Sequence, residues 1–183
     1  MRLNSVRWPT NKPIGIFYFQ IVWQAQKKQA TLLEQNQINN HTPRYLKLLE
    51  NNLTKIAWSP IYCHPLPEGH RFPMEKYNIL PEQLLYEGTV KSSNFFSPQK
   101  LEEKWIVNTH IPSYFGKLTS LNLNKSEIRE TGFPLSHELI DREIHIMHGS
   151  VQASLFALEY GIAMNIAGGT HHAFADRGEG FCL

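Results

Sequence analysis

Two histidines stand side by side near the end of this 183-residue chain, in NIAGGTHHAFADRGEGFCL. Imidazole titrates near neutrality, so a ring held at a site can take a proton from water and return one to a leaving amine. Neighbouring side chains on extended backbone point in different directions, which makes His171 and His172 an awkward pair of ligands for one tetrahedral metal. On a loop freed by Gly168 and Gly169, both rings can still approach one water or one oxyanion. A pair of loop histidines bonded only to backbone fits the same local pattern. Both readings stand at this level.

Other candidate groups read differently. His145 and His148 lie three apart, with His137 two turns earlier, and can present two imidazoles to a metal. Asp141, four residues before His145, offers a plain ion pair on a solvated helix face instead, and no third ligand is in view. RGEG, from Arg177 to Gly180, lacks the glycine spacing and Lys-Ser/Thr of a phosphate loop, and Glu179 would repel phosphate. His64, His70 and Arg71 sit in HPLPEGHRFPMEKY, which has three prolines and a glycine. Proline fixes φ and withholds amide donors, so this is an ordered loop rather than a strand. Its basic groups either line a pocket or dock the loop on the core, and docking is the favoured reading.

The elements that position these groups follow from periodicity. Lys55 to Ser59 is a short apolar run ended by Pro60, read as a buried first strand. Met74 to Glu87 is helical in composition, with an interruption expected at Pro81. Ser97 and Pro98 suit the N-cap and first position of a following helix, and IPSYFGKLTSL suits a second short one. FPLSHELIDREIHIMHGSVQASLFALEYG is the clearest helix, capped by Ser136, with Glu138 and Asp141 near its positive end and Gly161 as its stop. Ile140, Ile144, Met147, Val151, Leu155 and Leu158 recur on it as one apolar face. IAMNIA then reads as a fully buried strand, apolar except for Asn165. Strand, long helix, strand and glycine loop is the order of a parallel α/β sheet, whose site forms beyond the strands' carboxyl ends. The histidine pair falls there.

An apolar content of 42% supports a packed core, and the length suits one domain. Residues 1–53 carry seven Lys/Arg against two Asp/Glu, whereas residues 54–183 carry eleven against fourteen. The first stretch is rich in Asn and Gln and aperiodic, apart from the short turns TLLEQNQI and RYLKLLENN, so it reads as a poorly structured extension. The apolar run from Ile14 to Trp23 is too short to cross a bilayer; it resembles a secretory signal, although its aromatics and the following WQAQ fit one poorly. Scattered charges without a recognisable module make direct nucleic-acid binding a weak expectation, and no membrane attachment is expected. Two distant cysteines, Cys63 and Cys182, exclude a disulfide framework and a Cys-rich zinc module, so the cytoplasm is the simpler home.

KIAWSPIY, HPLPEGHRFPMEKY and above all NIAGGTHHAFADRGEGFC resemble the histone deacetylase superfamily, closest to its bacterial, class IV-like members, over Lys55 to Leu183. The resemblance implies an arginase/deacetylase-like α/β fold, with a parallel sheet flanked by helices, and zinc-dependent hydrolysis of acetyl-lysine or a small acetylated amine. It implies that His172 acts as general base and later acid, and that His171 holds charge in the transition state. Phe181 would line the tunnel for the lysine stem, and the Gly180 carbonyl would meet the substrate amide. Arg71 would face an internal cavity beyond the metal, while Gly168 and Gly169 would let the backbone approach the centre.

The resemblance also implies that the zinc ligands, the carboxylates that orient the histidines and a transition-state tyrosine lie downstream of GFC, with no metal ligands among the residues present. On that expectation residues 54–183 are the N-terminal part of a deacetylase domain, incomplete at the C-terminus and inactive alone. A rival expectation is a non-catalytic module that docks on another protein through its unfinished sheet. A third is a secreted or membrane-associated protein led by Ile14 to Trp23.

Overall fold

The computed structural model describes residues 54–168, 172 and 174–183. The expectations for residues 1–53, Gly169 and His171 lie outside the described residues. Strand β1 (Lys55–Ala57) is central in a three-stranded sheet of order β2-β1-β3, with β2 (Phe95–Phe96) and β3 (Ala163–Asn165) both parallel to it. Ile56 stands beside Phe95 on one side and Met164 on the other. β1 is shorter than the apolar run suggests. The Trp58 amide still donates to the Phe96 carbonyl at 3.0 Å, but Pro60 then opens a 3-10 turn over Pro60–Tyr62.

Helix α1 (Lys76–Tyr86) runs straight through Pro81, against the expected interruption. Proline has no N–H to give the carbonyl four residues earlier, which belongs to Tyr77. Trp58 supplies the missing donor, its indole Nε1–H reaching the Tyr77 carbonyl at 2.7 Å. The helix starting at Ser97 does not form. Helix α2 is one turn, Glu103–Ile106, with Glu102 at its N-cap. The preceding segment is held sideways on the long helix instead: the Gln99 amide donates to His148 Nδ1 at 3.2 Å, and Lys100 pairs with Asp141 at 2.5 Å.

Helix α3 (Pro112–Thr119) occupies the expected IPSYFGKLTSL. Helix α4 (Lys125–Thr131) starts in a capping box, in which Asn124 accepts from the amides of Ser126 and Glu127 while Glu127 returns to the Asn124 amide at 2.8 Å. The long helix α5 (His137–Tyr160) begins and ends as expected: the Ser136 hydroxyl accepts from the Leu139 amide, and Gly161 ends it at φ +92°.

The inward face of α5 differs from the expected stripe. Leu139, Ile140, Arg142, Ile146, Gly149 and Ala153 are buried, while Leu155 and Leu158 are 54% and 55% exposed. Small residues decide this. A β-carbon placed on Gly149 would lie 2.4 Å from Tyr62 Oη, 2.9 Å from Asn165 Nδ2 and 3.1 Å from Ala57 Cβ, so the helix seats on the sheet where it has no side chain. β3 is likewise not fully buried, because it is an edge strand. Its one polar residue is anchored: Asn165 donates to the Ile146 carbonyl at 2.9 Å and to Ser150 Oγ at 3.0 Å. The main core gathers Tyr62, Phe72, Met74, Tyr77, Phe133, Leu139, Ile146 and Ala167 under α5. Among the described residues no helix is long and apolar enough to cross a membrane.

Candidate active site

The loop leaving β1 and the loop leaving β3 depart from the carboxyl ends of adjacent parallel strands, so they meet. The first is pinned by His70. Its Nδ1 accepts the Phe72 amide at 3.2 Å, which leaves the proton on Nε2 to be donated to the Gly132 carbonyl at 2.9 Å. The ring also stacks on Phe133, with centroids 5.8 Å apart. Both nitrogens are committed to docking the loop, the favoured sequence reading.

The second loop ends in a tight turn at Gly180 and Phe181. Both residues are left-handed, at φ +57° and +69°, the backbone of a type I′ turn. Glycine adopts this freely; a phenylalanine there is strained by about 1–3 kcal/mol. Two sets of contacts hold it. The Gly180 and Phe181 amides donate to the carbonyls of Glu130 and Thr131 at 2.9 and 2.8 Å, satisfying the open C-terminal end of α4. The Phe181 ring packs on Phe72 and Phe133, with centroids 4.9 and 5.1 Å away.

His172 is exposed, and its amide donates to Cys182 Sγ at 3.3 Å. Its ring lies along Gly180, where a β-carbon would be 3.0 Å from His172 Cγ and Cδ2. Arg71 is exposed, with its guanidinium 4.9 Å over the Phe181 ring. Histidine, turn and arginine thus share one surface. Gly168 has no left-handed backbone and only ordinary contact with the Asn165 carbonyl. His145 is turned to its own helix, Nδ1 bonding the Asp141 carbonyl at 2.7 Å, and His148 receives Gln99. Among the described residues no three His, Cys, Asp or Glu side chains are placed to hold a metal ion.

Arg142 escaped the sequence reading. It is 2% exposed, donates from Nε to the Tyr62 carbonyl at 2.7 Å, lies 5.0 Å over the Tyr77 ring and pairs with Glu143. It ties α5 to the start of the β1 loop. The only signal was its place on the inward face, three residues after Leu139.

On the far side, the Ile111 amide donates to the Ala175 carbonyl at 2.8 Å, and the preceding residue, His110, is buried. Burial pushes the His110 imidazole below its ordinary value, outweighing a smaller raising effect of the Phe174 backbone. His64 and His148 are lowered in the same direction, each mainly by burial. A histidine depressed in the fold binds fewer protons than in the unfolded chain below about pH 6.5. Its stability contribution is present above that pH and lost as pH falls through the folded value. Urea unfolding should therefore show a midpoint that drops from pH 7 to pH 5, with a shallower slope in His110→Gln. A midpoint that is flat or rises on acidification would contradict the burial of these rings.

A parallel α/β domain whose two neighbouring strand-end loops meet around an exposed histidine and a strained Gly-Phe turn defines the class. The histone deacetylase domain profile matches residues 70–183, and the chain belongs to that family. It is also 36% identical over 128 residues to an uncharacterized protein of Picosynechococcus sp., a match covering 70% of this chain and 43% of that protein. The chain therefore spans less than half the length of this curated relative.

Proposed function

We infer that the complete protein is a zinc-dependent amidohydrolase that removes acetyl groups from lysine side chains or small acetylated amines. The observation that carries this is the meeting of His172, Gly180 and Phe181 at the strand ends, in a chain of the histone deacetylase family. An exposed imidazole beside an aromatic turn can move a proton next to an apolar stem lying on Phe181. Zinc, when bound, supplies the polarisation of carbonyl and water that an imidazole alone does not. Two cysteines this far apart in sequence suit a cytoplasmic setting.

The test joins this chain to the portion of the Picosynechococcus protein beyond the matched stretch, and assays acetyl-lysine peptides with zinc. The joined protein should turn over substrate, and His172→Ala should lower kcat by about 100-fold or more, the scale of a lost general base. The 183-residue chain alone should give no turnover. Activity indifferent to His172→Ala, or zinc-dependent turnover by the 183 residues alone, would overturn the proposal.

A further inference from the structure

Residues 174–183 carry the Gly180-Phe181 turn against which the His172 ring rests, and they lie across the start of α3. The Ile111 amide holds the Ala175 carbonyl there, and Phe174 is buried. Two buried rings four residues apart stand under the segment, His110 and Tyr114, with centroids 5.7 Å apart. Tyr114 Oη comes so close that a β-carbon on Gly178 would lie 2.8 Å from it. Among the described residues, His110 Nδ1 and Tyr114 Oη have no hydrogen-bond partner. Within itself the segment has a turn closed by the Phe174 amide on the Arg177 carbonyl and a single bridge, Glu179 with Cys182. A stretch with so few backbone bonds, seated on unpaired polar atoms, opens more easily than the sheet.

We propose that His110 is a latch on this segment, closed while its imidazole is neutral and loosened by its protonation, so that acid withdraws the Gly-Phe turn from beside His172. The bearing of the latch on catalysis rests on the functional reading above. Protonation would put a charge and a further N–H donor on a buried ring, and burial of an unpaired charge is costly. The neighbours do not compensate. Ile106, whose carbonyl takes the His110 amide, is apolar, and Tyr114 is the ionisable neighbour on α3. The covering segment presents Asp176 and Arg177, which pair with each other at 3.4 Å while the guanidinium stacks on Phe174 at 3.7 Å. Glu127 of α4 and Cys182 bear on Tyr114, and Glu127 is already paired with Lys117. Among the described residues no carboxylate acts on His110, and burial holds its imidazole below the ordinary value. The closed segment therefore binds the proton less tightly than the open one. Its advantage is complete above about pH 6.5 and is lost as pH falls from there to the folded value.

The experiment follows amide hydrogen exchange by NMR in the 183-residue chain from pH 7.5 to 5.5. The amides of Ile111, Gly180 and Phe181 report on the segment, and those of Trp58 and Ile166 serve as references in the sheet. Across that interval the protection of the first three should fall relative to the references by a further factor of about ten, the most that one proton can drive there. His110→Gln cannot take up the proton, so in that variant the gap should stay constant with pH. Should the variant fail to fold, imidazole 15N shifts of the unaltered chain decide in its place, and His110 should still be mostly neutral at about pH 6.5. Three results would overturn the latch: a gap that does not change with pH, a gap that widens equally in His110→Gln, or a His110 already half charged at or above about pH 6.5. A latch that behaves as expected in a joined protein without acetyl-lysine turnover would refute the proposed activity and leave the latch standing.

Discussion

Arg142→Ala is expected to cost about 3–5 kcal/mol, the range for removing one partner of a buried ion pair. Three contacts disappear together: the bond to the Tyr62 carbonyl, the packing over Tyr77 and the pairing with Glu143. The last matters most, because the Glu143 side chain is only 19% exposed and would be left as a poorly solvated carboxylate. Its residual access to water places the loss toward the lower end of that range. Burial already pushes the Glu143 carboxyl upward, with Arg142 opposing it, so the variant should also protonate there more readily. Arg142→Met combined with Glu143→Leu should recover much of the stability, because neither charge is then stranded. Urea unfolding at pH 7 checks both variants. A loss below about 1 kcal/mol for Arg142→Ala would place the guanidinium in water.

Gly149→Ala is the second large effect, and its sign is the informative part. Helix propensity alone predicts a gain of about 1 kcal/mol for replacing a mid-helix glycine. The added β-carbon would meet Tyr62 Oη at 2.4 Å and Ala57 Cβ at 3.1 Å, inside normal contact. Overpacking of this kind costs about 1–3 kcal/mol, and neither neighbour yields easily, one being a ring wedged in the core and the other a strand residue. The net expectation is a loss of about 1 kcal/mol, the overpacking cost less the propensity gain. Tyr62→Phe removes the nearest atom, so Gly149→Ala should be much better tolerated in that background. A stabilised single variant would mean that α5 does not approach the sheet at Gly149.

What could be read before the fold was known depended on whether the relevant force is local. The start and stop of α5 were legible because Ser136 and Gly161 act within one turn of themselves. The strand order around β1 was partly legible, since a long helix between two apolar runs implies a parallel crossing. β2 was not, because two residues, Phe95 and Phe96, have no period to detect. The helix expected at Ser97 failed for a tertiary reason: His148 and Asp141 of α5 engage Gln99 and Lys100. The interruption expected at Pro81 failed for another, an indole donor from Trp58, nineteen residues before the Tyr77 carbonyl that it reaches. The inward face of α5 does not follow its large aliphatics, because Gly149 sets the close approach to the sheet.

In the candidate site, the His-His motif, the Gly-Phe turn and the arginine were all visible as residue types. That His172 lies along Gly180, and Arg71 over Phe181, depends on the capping of α4 by the turn's two amides. No spacing rule contains that link. Arg142 is not legible in the sequence, because a charged residue on a helix is ordinarily solvent-facing.

The register of the sheet also sets a schedule. Lys55 pairs with Ala163, about a hundred positions later in the chain, and α5, which covers both, lies just ahead of β3. At about 5–20 residues per second, β1 leaves the ribosome roughly 5–20 seconds before its partner exists. Through that interval Ile56, Ala57 and Tyr62, all buried in the finished fold, lack the helix that shields them. So high a contact order favours slow closure, with α5 and β3 arriving as a unit that locks an already synthesised strand in place.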